Sequence, residues 1–197
     1  MVARVEFWFE FASTYSYLST MRIDQAASDR GVVVDWQPFL LGPIFAEQGW
    51  TTSPFNLYPA KGTYMWRDME RLCSARGLPF QKPDPFPQNG LRAARLVLAI
   101  ENPADKARFV CAVYNAEFGD GRDISNEATL LTCLDKSGLS PDLLHRTAEP
   151  DIKSALFQQT ERAKEKGIFG APSFCVSDEL FWGDDRLDEA LDYATQI

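Results

Sequence analysis

The order of elements at the two ends of this 197-residue chain constrains its fold more than any other feature. In residues 3–9, Val5, Phe7 and Phe9 alternate with Arg4, Glu6 and Trp8, the two-residue period of a strand. The chain then turns into a helix near Ser13, a plausible N-cap, with Tyr17, Leu18 and Met21 along one side. Gly31 ends the loop after it, and Val32-Val33-Val34-Asp35-Trp36-Gln37 forms a second β-rich run stopped by Pro38. A β-α-β unit of this kind favours a right-handed crossover and a parallel pair. At the far end, Ser173-Phe174-Cys175-Val176 and Glu179-Leu180-Phe181-Trp182 flank Ser177-Asp178 as a hairpin turn. A last helix from about Asp184 carries Leu187, Ala190 and Leu191.

The middle of the chain has a different character. Residues 42–61 are loop-like, punctuated by Gly42-Pro43, Gly49, Ser53-Pro54 and Pro59. From Gly62 to about Lys166 the pattern is helical. Met65, Met69 and Leu72 repeat at helix spacing, and Gly77 with Pro79 closes that helix. A proline-rich loop over residues 80–90 follows. Further helices are marked by Leu91, Ala94 and Leu98, by Phe109, Val113 and Ala116, and by Leu130, Leu131 and Leu134. Ser140-Pro141 opens a short helix with N-cap and N1 chemistry, and Ile152, Ala155, Leu156 and Ala163 mark one more, ended by Gly167. The simplest architecture is an α/β layer domain, residues 1–41 and 167–197, split by an all-helical insertion over residues 42–166.

Composition narrows the function. The formal net charge of −8 repels phosphate backbones and argues against nucleic acid as a partner. Glu6 and Glu10 interrupt any signal-peptide h-region at the start, and no run of eighteen apolar residues would span a bilayer. A cytoplasmic protein without a membrane partner is the expectation. The four cysteines, Cys73, Cys111, Cys133 and Cys175, match neither a zinc spacing nor C-x-x-C, so scattered reduced thiols are expected and no metal site. His145 is the only histidine and sits on a helix face, which argues against a Ser-His triad and against histidine-rich metal sites.

Three places remain that could carry chemistry. Ser13 stands at a strand-to-helix junction, where the first N–H groups and the helix dipole favour an anion and would lower the pKa of a thiolate. A plain N-cap explains the same residue. Pro172 follows Ala171 directly before a strand; if it is cis, the Ala171 backbone is turned out to pair with an extended peptide, and a trans proline at a strand start is the alternative. In Gly183-Asp184-Asp185-Arg186, either aspartate could cap the last helix or meet a ligand ammonium group.

These residues fall into four blocks that occur together in a known family. They are Phe9-Glu10-Phe11-Ala12-Ser13-Thr14-Tyr15-Ser16-Tyr17-Leu18, Leu57-Tyr58-Pro59-Ala60-Lys61-Gly62-Thr63-Tyr64-Met65, Gly167-Ile168-Phe169-Gly170-Ala171-Pro172 and Leu180-Phe181-Trp182-Gly183-Asp184-Asp185-Arg186-Leu187. Over essentially its whole length the chain resembles the glutathione-dependent 2-hydroxychromene-2-carboxylate isomerases, relatives of kappa-class glutathione transferases and, more distantly, of DsbA-like oxidoreductases. The resemblance implies a thioredoxin-like fold with a large helical insertion, in a homodimer. It implies that Ser13 contacts the glutathione sulfur and that Ala171, beside a cis Pro172, pairs with the cysteinyl backbone. It places Trp182, Gly183, Asp184 and Asp185 at the γ-glutamyl end and Lys61 near the glycyl carboxylate. Glu10 and Thr14 depart from the family, which often has Asp and Pro there. Thr52 falls where the family has an asparagine, with Asn56 the nearest one.

The function expected is isomerisation of an aromatic or unsaturated keto acid: glutathione thiolate adds to a conjugated double bond, the adduct rotates, and glutathione leaves. Composition and loop position suggest an acceptor pocket of Trp50, Phe55, Asn56, Pro85, Phe86 and Asn89. A kappa-like transferase and a non-catalytic thiol- or peptide-binding module are the alternatives. Thiol–disulfide exchange is disfavoured, because Ser13 and Ser16 occupy both redox positions.

Overall fold

The computed structural model describes residues 2–197. Strand β1 (Arg4–Phe9) leads into helix α1 (Thr14–Ser28) and strand β2 (Val33–Pro38); β3 (Ser173–Val176), β4 (Glu179–Trp182) and α10 (Leu187–Ala194) close the chain. The strands form one sheet in the order β2-β1-β3-β4. The β1–β2 pair is parallel, as a helical crossover requires, and β3 runs antiparallel to both β1 and β4. Ser177 takes φ +52° in the β3–β4 turn.

Between β2 and β3 lie α2 (Leu41–Glu47), α3 (Pro54–Leu57), α4 (Pro59–Arg76), α5 (Leu91–Ala99), α6 (Pro103–Tyr114), α7 (Glu127–Lys136), α8 (Leu143–Arg146) and α9 (Pro150–Glu165). Residues 42–61, expected as loop, therefore contain α2, α3 and the start of α4. The prolines that suggested loop sit in first helical turns instead, where a missing N–H costs nothing: Pro54 and Pro59 are the opening residues of α3 and α4. Gly77, at φ +65°, ends α4 as expected.

The sheet is covered on both faces. On one, Val5, Phe7 and Phe9 join Trp36, Phe174 and the apolar sides of α1, α6 and α10; Phe7 stacks on Phe174 at a ring separation of 5.3 Å. On the other, Trp8 packs with Leu41 and Ile44 of α2, Ala163 of α9, Cys175 of β3, and Phe39 and Ile168 just after β2 and α9. The alternation in β1 suggested a polar face containing Arg4, Glu6 and Trp8, but Trp8 is fully buried. Its indole N–H donates to Glu6 Oε2 at 2.9 Å. A buried indole needs such a partner, and Glu6, two residues back on the same face of β1, supplies it.

Candidate active site

Helix α1 starts where β1 leaves the sheet, and Ser13 is its N-cap. The extended backbone of Ser13 (φ −93°, ψ 113°) lets its Oγ accept from the Ser16 amide at 3.3 Å. The same hydroxyl donates to the Ala171 carbonyl at 2.8 Å, tying the helix start to a segment 158 residues away. The peptide between Ala171 and Pro172 is cis. Ser13, Ala171 and Pro172 are thus brought together as expected. Among the described residues, the amides of Thr14, Tyr15 and Ala171 donate to no protein acceptor outside regular helix and strand bonding. Three of these N–H groups therefore remain for a ligand, two of them at the positive end of a 15-residue helix.

These groups open on a cavity of about 1320 Å³. Its floor is the start of α1 with Glu10 and Ala171. One side is α2 and the segment after it, including Phe45, Trp50 and Thr52; another is Phe55 of α3, Lys61 of α4 and Phe86 to Gln88. Phe169 and Trp182, whose ring centroids lie 4.9 Å apart, complete it. Gly170 lets the Trp182 indole approach closely there, since a Cβ on Gly170 would run into its Nε1 edge. Gly62 does the same for α3 and α4: a Cβ there would strike the Phe55 carbonyl. Lys61 Nζ sits 5.0 Å from the Tyr58 ring centroid and has no carboxylate partner among the described residues.

Other expected positions lie off this wall. Asp184 is buried and its carboxylate is committed elsewhere. It accepts from Arg76 Nη2 at 2.6 Å, Arg76 Nη1 at 3.2 Å and Ser19 Oγ at 2.9 Å, with Arg22 Nε at 3.7 Å. This network pins α1, α4 and the chain after β4 together. Asp185 is exposed and lines a separate cleft of about 430 Å³ with Arg22, Arg76 and Asp188. Gly183 takes φ +112° at the bend between Trp182 and Asp184. In the suggested acceptor pocket, Trp50, Phe55 and Phe86 line the cavity. Asn56 instead donates to Thr52 Oγ1 and the Phe86 carbonyl, bracing the wall from outside. Asn89 accepts from the Leu91 amide at the start of α5, and Pro85 follows a cis peptide in the loop behind Phe86.

Two groups singled out by the structure were not sought as site residues. Glu10 lines the cavity, and burial pushes its carboxyl up to about 7, against the lowering influence of the Ala12 and Leu41 amides. Gln88 is buried on the same wall; its Oε1 accepts from the Ile124 amide, while its Nε2 has no partner. Behind them, Glu117 lies in a π turn (Asn115–Gly119) that continues α6. It is fully buried, neither of its carboxyl oxygens has a partner, and burial holds it well above the usual carboxylate range. In the sequence Glu10 stands out only as a charge near the start and as a departure from the family's Asp; Gly90 and Tyr114, which pack against this turn, lie 80 and more residues away.

None of the four cysteines is in the cavity wall. All are free, and burial pushes their thiols up to about 11 for Cys73, Cys133 and Cys175 and about 12 for Cys111. Thiolate chemistry at the cavity must therefore use a sulfur from outside the chain. No described helix is long and apolar enough to cross a membrane.

Comparison with known proteins bears on the fold and the family. The 2-hydroxychromene-2-carboxylate isomerase of Sphingobium xenophagum is 28% identical over 190 residues, covering 95% of this chain and 96% of that one. Human glutathione S-transferase kappa 1 is 25% identical, over 93% of this chain and 87% of its own. A solved structure of a 2-hydroxychromene-2-carboxylate isomerase superposes with a TM-score of 0.88 at 26% identity, covering 98% of this chain and 94% of the other. The fold is thioredoxin-like with a large helical insertion, and a model of the DSBA-like thioredoxin domain matches residues 4–194, so the chain belongs to that family.

Proposed function

We propose that this chain is a glutathione-dependent isomerase of an aromatic or otherwise conjugated keto acid. The observation that carries the reading is the meeting of Ser13, at the N-terminus of α1, with the Ala171 carbonyl beside a cis proline on the floor of a large aromatic-walled cavity. The unused amides of Thr14 and Tyr15 and the dipole of α1 favour a thiolate over a thiol at that point. The Ser13 hydroxyl turns from Ala171 to donate to the sulfur, and the Ala171 amide pairs with the cysteinyl carbonyl. Lys61 is the cation on the wall and suits the glycyl carboxylate. The thiolate adds to the conjugated carbon, the former double bond rotates, and the thiolate is expelled with the geometry reversed.

The names of the relatives support both an isomerase and a glutathione-linked chemistry. A kappa-like transferase is the second reading, favoured by the kappa-class relative, and differs in consuming glutathione stoichiometrically. The working form is a cytoplasmic homodimer, for which light scattering should give twice 22.2 kDa. The test of the reaction is spectrophotometric. Wild type with catalytic glutathione should interconvert the cis and trans isomers of benzylidenepyruvate without net thiol loss, and Ser13→Ala should lower that rate at least a hundredfold. Equal rates in the two proteins would remove Ser13 from the mechanism.

A further inference from the structure

The addition of a thiolate to a conjugated ketone moves charge onto the carbonyl oxygen, and that oxygen needs a proton donor which later takes the proton back. Glu10 and Ser13 flank one tight turn: the Ser13 amide donates to the Glu10 carbonyl at 2.9 Å, and both residues open on the same cavity. Among the described residues lining that cavity, Glu10 is the only carboxyl. No cation pairs with it in any described ion pair. The Ala12 amide donates to its Oε1 at 3.3 Å, and the Leu41 amide also acts on the carboxyl, which lies in the cavity wall. The loop before α5 closes over it, and Gly90 makes room: a Cβ there would stand 3.5 Å from Glu10 Oε1 and 2.9 Å from Phe11 Cβ.

We propose that the Glu10 carboxyl is the catalytic acid–base of the isomerisation, a role that rests on the proposed thiol-addition reaction. As the sulfur–carbon bond forms, the electron pair of the conjugated double bond moves toward the carbonyl, and the ketone oxygen takes the proton from Glu10. The product is an enol adduct with a freely rotating carbon–carbon bond, and Glu10 is a carboxylate. After rotation Glu10 recovers the enol proton, the double bond re-forms, and the sulfur–carbon bond breaks with its electrons returning to sulfur. No oxidant or further reactant is consumed. Only three carbon atoms separate sulfur from oxygen in the adduct, so a sulfur held at Ser13 keeps the ketone oxygen within a few bonds of the turn that carries Glu10.

The groups facing Glu10 are compatible with this duty. Tyr114 of α6 donates to the Glu10 backbone carbonyl at 2.8 Å and is itself held protonated by burial. Glu117 of the π turn is held protonated by burial, with Glu10 nearby as a further cause. Lys61 shares the cavity, and the Ala12 and Leu41 amides favour the carboxylate. Burial outweighs the amides and sets Glu10 near neutrality, where one group serves as both acid and base.

The alternative is a purely structural Glu10 that only accepts from Ala12 to shape the turn. Glu10→Gln separates the two, because an amide oxygen still accepts that bond but carries no exchangeable acid proton. With benzylidenepyruvate and glutathione, Glu10→Gln should lower kcat by a hundredfold or more. It should also abolish an inflection near pH 7 in the wild-type kcat profile, while glutathione affinity stays within twofold. Glu10→Asp should restore part of kcat together with a pH inflection. Glu10→Gln turnover within threefold of wild type, or an unchanged inflection in that variant, would overturn the role of Glu10 while leaving the isomerase reading in place. Thiol-dependent turnover absent from wild type would overturn both.

Discussion

The partly buried carboxyl of Glu10 makes stability depend on pH in a direction opposite to that of most acidic side chains. Its folded-state pKa is about 7 against 4.5 for the free side chain, because burial penalises the charged form. The folded protein therefore holds this proton more tightly than the unfolded chain. Stability is full below pH 4.5, falls as pH rises from 4.5 to about 7, and stays reduced above. A shift of about two and a half units, at about 1.4 kcal/mol each, gives a penalty of about 3 kcal/mol at pH 8.5, with water in the cavity making this an upper value. At pH 5.5 only about one unit of the shift has been traversed, so the penalty is about 1 kcal/mol. Glu10→Gln removes the penalty and keeps the Ala12 contact. The variant should therefore gain about 2 kcal/mol relative to wild type between pH 5.5 and 8.5, or roughly 4–8 °C in Tm for a chain of this size. Burial, the main cause of the Glu117 shift, is the same in both proteins and cancels in the difference, while the smaller influence of Glu10 on it is lost in the variant. Urea unfolding at the two pH values, both above the pI of about 4.7, provides the assay. A variant advantage that is equal at both values, or larger at pH 5.5, would refute the reasoning.

Three further outcomes follow from the packing. Asp184→Ala leaves Arg76 with no carboxylate, and Arg22 with Asp188 alone, at the junction of α1, α4 and the segment after β4, and should cost about 3 kcal/mol in chemical unfolding; a loss under 1 kcal/mol would show that water replaces the carboxylate freely. Gly170→Ala should displace the Trp182 indole, change tryptophan emission and weaken glutathione binding at least tenfold, with about 1–3 kcal/mol lost from overpacking. Unaltered emission and affinity would mean that Trp182 is not part of the thiol site. Ser13→Ala should cost about 1 kcal/mol as a lost N-cap while leaving the chain folded, so that its much larger effect on turnover is read as chemistry.

The parts of this molecule legible in its sequence are those governed by local rules. The cap at Ser13, the left-handed stop at Gly77 and the β-α-β start all depend on residues within a few positions of one another. The segments at Ser13 and Ala171 that form the proposed thiol site are legible as recurring blocks, and their meeting at 2.8 Å follows from the antiparallel pairing of β3 with β1. What escaped is set by distant partners. Trp8 alternates with polar residues yet is buried, because α2 and α9 cover the second face of the sheet. Pro54 and Pro59 signal a break or a helix start equally well, and only the packing of α3 on α4 at Gly62 decides between them. Asp184 stands beside Trp182 in sequence, but Arg22, Arg76 and Ser19 draw it to the other side of α1. Glu10 is secluded by Gly90 and the buried wall of α6, neither of which its neighbours in sequence announce.

The central claim is that the start of α1 and the Ser13–Ala171 pair form a site for an external thiolate. Calorimetric titration of reduced glutathione and of S-methyl glutathione near pH 7, each in two buffers of different ionisation enthalpy, tests it most directly. The account predicts that reduced glutathione binds with release of a proton, and that the S-methyl form binds more weakly with none. Binding of neither ligand, or equal binding of both without proton release, would contradict it.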